Sequence, residues 1–197
     1  MIERANAKDH GGASVRFSVA DAAIEPYDAE HDVVFSRFGV MFFSDPVAAF
    51  KNIRAALKPD GRLVYLCWQA PQNNPWMAIA GAAVAPFMPE DTPAPDPTAP
   101  GPFSMADPVR TRSVLEEAGL VDIDIEPVEK DMHLGDHLDE LMAFQKEIGP
   151  LSALLESADE ENAEKATEAV REAFAAHVGD NGVAMRAAAW LVTGRAS

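Results

Sequence analysis

His31 to Trp68 reads HDVVFSRFGVMFFSDPVAAFKNIRAALKPDGRLVYLCW, and this stretch decides the fold. Val33-Val34-Phe35 is a short β-branched and aromatic run, which predicts a strand buried on both faces. Asp45 can cap a helix and Pro46 suits its first position. Val47, Phe50, Ile53, Ala56 and Leu57 then recur at helical spacing. Pro59-Asp60-Gly61 stops that helix and turns the chain into a second strand, Arg62 to Trp68. Strand, helix, strand predicts a doubly wound, mostly parallel α/β sheet.

Working outward, Ile2 to Lys8 reads as the tail of a helix closed by Gly11-Gly12. Val15 to Ala20 alternates apolar with polar residues and predicts a strand ending on Asp21. After Trp68 the composition changes. Asn74-Pro75-Trp76 opens a short apolar helix, and seven prolines between Pro86 and Pro102 then prevent regular structure. Residues 69–106 are therefore expected to form a lid or substrate loop within a single domain spanning 1–197. Asp107-Pro108 starts another helix, which ends at Gly119, and Val121 to Val128 predicts an outer strand with one wet face. Helices are expected over Leu138 to Ile148 and Leu151 to Val178. Ala184 to Thr193 reads as a last strand, antiparallel to its neighbours.

The formal charge is −16, from 16 basic and 32 acidic side chains. Such a surface repels phosphate backbones and anionic lipid, so neither nucleic acid nor a membrane is an expected partner. Cys67 is the only cysteine. It excludes an internal disulfide, suits a reducing cytoplasm and sits in an apolar run as a packing residue. His133 and His137 lie four apart, but Gly135 intervenes and no acid completes a metal motif; the pair reads as a polar helix start capped by Asp136, and no metal is expected. No serine lies in a nucleophile-elbow context, and no catalytic acid, base or nucleophile is singled out.

Three blocks in order resemble the class I S-adenosylmethionine-dependent methyltransferases, in particular their small-molecule, quinone-biosynthesis-like branch. VRFSVADA (Val15 to Ala22) resembles that family's third strand with its acid. HDVVFSRFGVMFFSDP (His31 to Pro46) resembles the fourth strand and its loop. LKPDGRLVYLCW (Leu57 to Trp68) resembles the turn into the fifth, and AAAWLVTGRA (Ala187 to Ala196) the terminal strand. The resemblance implies a Rossmann-like sheet in the order three, two, one, four, five, seven, six. It also implies S-adenosylmethionine as cofactor and a small-molecule methyl acceptor.

Asp21 at a strand end would accept from the adenine amine, with the Ala22 N–H donating to the ring; on a second reading Asp21 only caps a turn. Ser36, Arg37 and Phe38 would face the same crevice. Phe38, Met41, Phe42 and Phe43 would form an apolar wall that excludes water, or simply core. Trp68, Trp76, Phe87 and Phe103 are the expected walls of the acceptor pocket. The family's glycine-rich loop after strand one and the acid ending strand two have no counterpart here, because Gly11-Gly12 follows a helix. Met1 accordingly resembles an internal methionine of a longer ancestor. A truncated form would bind cofactor weakly and expose the flank of the Val33–Phe35 strand. That flank would be covered by Val15–Ala20 moving inward or by a second copy, which favours a homodimer. The alternative function is a non-catalytic remnant that serves as an oligomeric or interaction module.

Overall fold

The computed structural model describes residues 2–8, 10–93 and 96–197. In chain order the elements are α1 (Ile2–Asn6), β1 (His31–Arg37), α2 (Pro46–Ala56), β2 (Leu57–Trp68), α3 (Pro75–Val84), α4 (Pro108–Glu117) and β3 (Leu120–Gly135). Then come α5 (Leu138–Glu147), α6 (Pro150–Leu155), α7 (Glu160–Ala175), β4 (Val178–Gly179) and β5 (Gly182–Ala196). Short 3-10 turns lie at Val40–Phe42, Pro71–Asn73 and Ala85–Phe87.

The local signals for α2 and α4 hold. The Asp45 carboxylate accepts from Ala48 N, and the Asp107 carboxylate from Val109 N, each with proline in the first turn. α2 hands directly to β2. His31 pairs with Leu57 and Val33 with Arg62, so Lys58 to Gly61 bulges out of the ladder. Asp60 takes φ 63° there, and a Cβ on Gly61 would meet the Lys58 carbonyl oxygen at 2.9 Å.

The strand order is β1-β2-β5-β3, with β4 paired to β5, which matches the four-five-seven-six half of the implied sheet. The expectation of mostly parallel pairing needs correcting among the described strands. Only β1 and β2 pair in parallel; β5 runs antiparallel to β2, β3 and β4. A parallel pair needs a crossover, and β1-α2-β2 supplies one. β5 instead enters through the tight turn from β4 and inserts between β2 and β3 against both. The antiparallel last strand was expected, and it is longer than the sequence suggested.

Four further expectations change. Val15 to Ala20 forms no strand, and Val19 is 90% exposed. Alternation alone cannot hold a strand, because its backbone groups need a neighbour, and no described strand pairs with this segment. β1 is not buried on both faces: it lies at the sheet edge with Val33 and Phe35 exposed. The single helix over Leu151 to Val178 is broken, because the Asp159 carboxylate accepts from Asn162 N and starts α7 afresh. The break puts Glu160 and Glu161 in a first turn, where the helix dipole favours them. Finally, His137 rather than Asp136 caps α5, by accepting from Glu140 N, while Asp136 pairs with the His133 ring.

Two cores result. Phe50, Leu63, Tyr65, Cys67 and Leu115 fill the space between the sheet, α2 and α4. Trp76, Leu141, Leu151, Val170, Phe174 and Met185 fill a second, where α3, α5, α6 and α7 cover the far half of the β3–β5 ribbon. Trp68 packs against both. Inside the first, the Cys67 thiol points at the Met105 carbonyl, and burial pushes its pKa up to about 12. At pH 8 the thiolate fraction is then on the order of one in ten thousand. Iodoacetamide at pH 8 is expected to label Cys67 only after unfolding; complete labelling of the folded protein within minutes would contradict this burial. The folded pKa exceeds the unfolded one, so the contribution to stability is whole below about pH 8.5 and is lost as pH rises toward 12.

Candidate functional site at the carboxyl ends of the first two strands

The crevice begins where β1 ends. Phe38 follows Arg37 with φ 59°, a left-handed conformation that costs a non-glycine residue of order 1–3 kcal/mol. Two contacts offset it. The Phe38 N–H donates to Leu66 O at 3.0 Å, extending the ladder by one rung. The Phe38 ring stacks on Trp68 with centroids 4.0 Å apart and planes 13° apart. The chain then tightens through the Val40–Phe42 turn. Buried Met41 accepts from Trp68 N on its sulfur at 3.4 Å, and its carbonyl accepts from Gly101 N and the Ser104 hydroxyl. These bonds tie the proline-rich strap to the end of β1.

Two cavities flank this point. The smaller, about 450 Å³, lies between β1, α2 and the segment after Asp21, with Ala22, Tyr27, Ser36, Gly39 and Phe43 among its walls. Asn52 on α2 anchors that segment by donating to Ala22 O and Glu25 O. Ala22 and Ser36 therefore share one cavity, whereas Asp21, Arg37 and Phe38 are not among its lining residues. The Asp21 carboxylate accepts from Ala23 N at 2.9 Å, and its carbonyl from Ile24 N and Glu25 N, so it holds a turn.

The larger cavity, about 930 Å³, lies beyond the end of β2, between residues 70–73, the strap from Asp96 and the start of α4. Phe103 lines it. Met41, Trp68, Trp76 and Phe87 do not. Trp68 meets Trp76 edge-on at 5.4 Å, and Trp76 meets Phe144 at 6.4 Å, so these rings bridge the two cores. The Trp76 indole N–H is buried with no hydrogen-bond partner among the described residues. Phe87 packs on the helical core, and its carbonyl accepts from Asn162. Tyr27, Arg110 and Trp190, which sequence reasoning missed, line the two cavities instead. A cap-plus-proline start flagged the neighbourhood of Arg110, but nothing local linked it to Trp190. Among the described residues no group of three or more His, Cys, Asp or Glu could hold a metal ion.

Comparison with known proteins agrees with this architecture. Residues 1–65 match the family model described as a methyltransferase domain. No curated protein matches. Among solved structures, the YcgJ protein from Bacillus subtilis is 16% identical with a TM-score of 0.55, over 99% of this chain and 77% of its own. A protein of Bacillus halodurans assigned as a methyltransferase is also 16% identical, with a TM-score of 0.52 over 92% of this chain and 77% of its own. At that identity the likeness shows the fold. Residues 1–65 thus resemble a methyltransferase domain, and the chain shares the mixed α/β, Rossmann-like fold of these two structures.

Proposed function

We propose that this protein transfers a methyl group from S-adenosylmethionine to a small-molecule acceptor. The observation that carries the reading is the left-handed Phe38 stacked on Trp68 at the carboxyl ends of β1 and β2, between the two cavities. Ligands of open α/β sheets bind beyond those strand ends. When bound, the cofactor supplies an electrophilic methyl group on a sulfonium. The protein's part is then alignment and exclusion of water, which needs no strong acid or base. Ala22 and Ser36 would border the donor from the smaller cavity, with Asp21, Arg37 and Phe38 at its rim. The 69–106 lid would enclose the acceptor: Phe103 forms its wall, and Met41, Trp68, Trp76 and Phe87 form the packed floor that holds it.

The fit to the cofactor is partial. The Asp21 carboxylate already serves its own turn, and the described glycine pair follows a helix rather than a strand. Donor affinity should therefore be weak, with Kd in the range of hundreds of micromolar or above, and activity of these 197 residues impaired. S-adenosylhomocysteine titrated to millimolar concentration is expected to shift the amide resonances of Ala22, Ser36, Arg37 and Phe38. Shifts confined to other regions, or none, would remove the methyl-transfer reading. Micromolar affinity would remove the impairment alone.

A second reading, an interaction module that forms a homodimer, is favoured by the contrast between the two sheet edges. β3 carries Pro127 and the acids Asp122, Asp124, Glu126 and Glu129, the usual devices that blunt an edge. β1 offers exposed Val33 and Phe35. No described helix is long and apolar enough to cross a membrane. The free thiol of Cys67 fits a cytoplasmic location.

A further inference from the structure

The larger cavity contains one charged donor that its surroundings leave uncommitted, and we infer that Arg110 anchors a carboxylate of a flat, largely apolar acceptor. The inference rests on reading that cavity as the acceptor site. Its walls are mostly apolar, with Phe103, Trp190 and the strap prolines Pro97, Pro100 and Pro102 prominent. Such a lining selects a flat apolar body, and the few polar groups set orientation.

Those polar groups are nearly all spent. The Asp107 carboxylate caps α4 through Val109 N, and the Asp96 carboxylate takes the N–H and hydroxyl of Thr98, both at 2.7 Å. These bonds, with the nearby Arg110 charge, hold Asp96 below the usual carboxylate range. The Trp190 indole N–H donates to Ala106 O, and the Ser104 hydroxyl to Met41 O. The side-chain amide N–H of Asn73 goes to Gln69.

Arg110 differs. Nη1 donates to Ser104 O at 2.7 Å and approaches the Met105 sulfur, which fixes the plane of the guanidinium. Nε and Nη2 make no hydrogen bond to a described residue, and Arg110 forms no ion pair with a described carboxylate. A guanidinium with one arm fixed and one fork open is matched to a carboxylate, which can accept two parallel N–H bonds. The cavity's own acids, Asp96 and Asp107, sit in turns where one oxygen of each already accepts hydrogen bonds. They work against an anion through charge alone, and salt screens that effect.

The test is calorimetric titration of the full chain, without cofactor and at 0.15 M salt, with 2-naphthoate and its neutral counterpart 2-naphthamide. Naphthoate is expected to bind at least tenfold more tightly. Arg110→Gln should bring the two affinities together while leaving naphthamide unchanged, and Arg110→Lys should keep part of the preference. Equal affinities in the unaltered protein would overturn the inference. So would a preference that survives Arg110→Gln, or failure of both probes to bind at millimolar concentration. If the Gln variant loses both ligands, the Lys variant decides: a retained naphthoate preference supports Arg110, and its loss overturns it. No methyl transfer is read, so failure of the donor titration would leave this result standing, and failure here would leave that one.

Discussion

Replacing Asn74 by alanine is expected to lower the stability of the protein by about 4 kcal/mol, the sum of three lost hydrogen bonds and one orphaned buried donor. Asn74 is fully buried. β2 stops pairing at Trp68, opposite Ala189 on β5, yet β5 continues. The Asn74 side chain takes the next place in the ladder. Its amide nitrogen donates to Ala188 O at 2.9 Å and Gln69 O at 3.1 Å, and its oxygen accepts from Ala188 N at 2.9 Å. Ala188 O keeps a second donor in Gln69 N, but Ala188 N would lose the acceptor that Asn74 Oδ1 provides. Native domains have only about 5–15 kcal/mol in hand, so a large fraction of the total is at stake. Urea unfolding of the two proteins measures the difference; a loss below about 1 kcal/mol would show that the amide is not a structural rung. Gln69 and Asn73, held by the same network, sit beside the floor of the larger cavity, so the variant should also weaken naphthoate binding.

Asn74 also shows what a sequence conceals. Asn-Pro reads correctly as a helix start, and α3 begins at Pro75. The side chain nevertheless makes no capping bond, because a strand more than a hundred residues away claims it. The same division runs through the whole chain. Signals carried by neighbours along the chain were legible: Asp45-Pro46, Asp107-Pro108, the Pro59–Gly61 turn, and the apolar run that buries Cys67. Outcomes set by distant partners were not. Val15 to Ala20 alternates as a strand should, but lacks a described neighbour to pair with. Trp68 and Trp76 are aromatic residues beside a crevice, yet their rings are taken up in joining two cores. Arg110 and Trp190 meet at one cavity from positions eighty residues apart, and no local pattern marks that meeting. Asp21 had two readings, and its carboxylate accepts from the backbone N–H of Ala23, two residues on.

The unaltered protein is expected to be a dimer at tens of micromolar, and Phe35→Lys is expected to make it a monomer by raising Kd at least a hundredfold. β1 ends the sheet with one row of N–H and C=O groups facing no described strand. Val33 is 46% exposed and Phe35 62%, both on the face of β1 away from Val34 and Ser36. A two-fold axis through Val34 and perpendicular to the sheet would pair the two edges antiparallel. It would set Val33 against Phe35 of the partner subunit twice over. Aromatic and β-branched pairs of this kind contribute roughly 0.2–1 kcal/mol each beyond the ladder itself. Lysine at position 35 would place two ammonium groups beside this small apolar centre and remove both pairs. The two pairs account for at most about 2 kcal/mol of the roughly 2.7 kcal/mol that a hundredfold change needs, and the cost of desolvating two ammonium groups at the seam supplies the rest. Charge opposes the dimer, since each copy carries −16, so association should strengthen as salt rises from 0.05 to 0.5 M. Sedimentation or light scattering reads both effects, with circular dichroism confirming that the lysine variant is folded. A folded, unaltered protein that remains monomeric at 0.5 M salt and tens of micromolar would remove the dimer. So would a dimer that Phe35→Lys leaves intact, because β1 could not then be its seam.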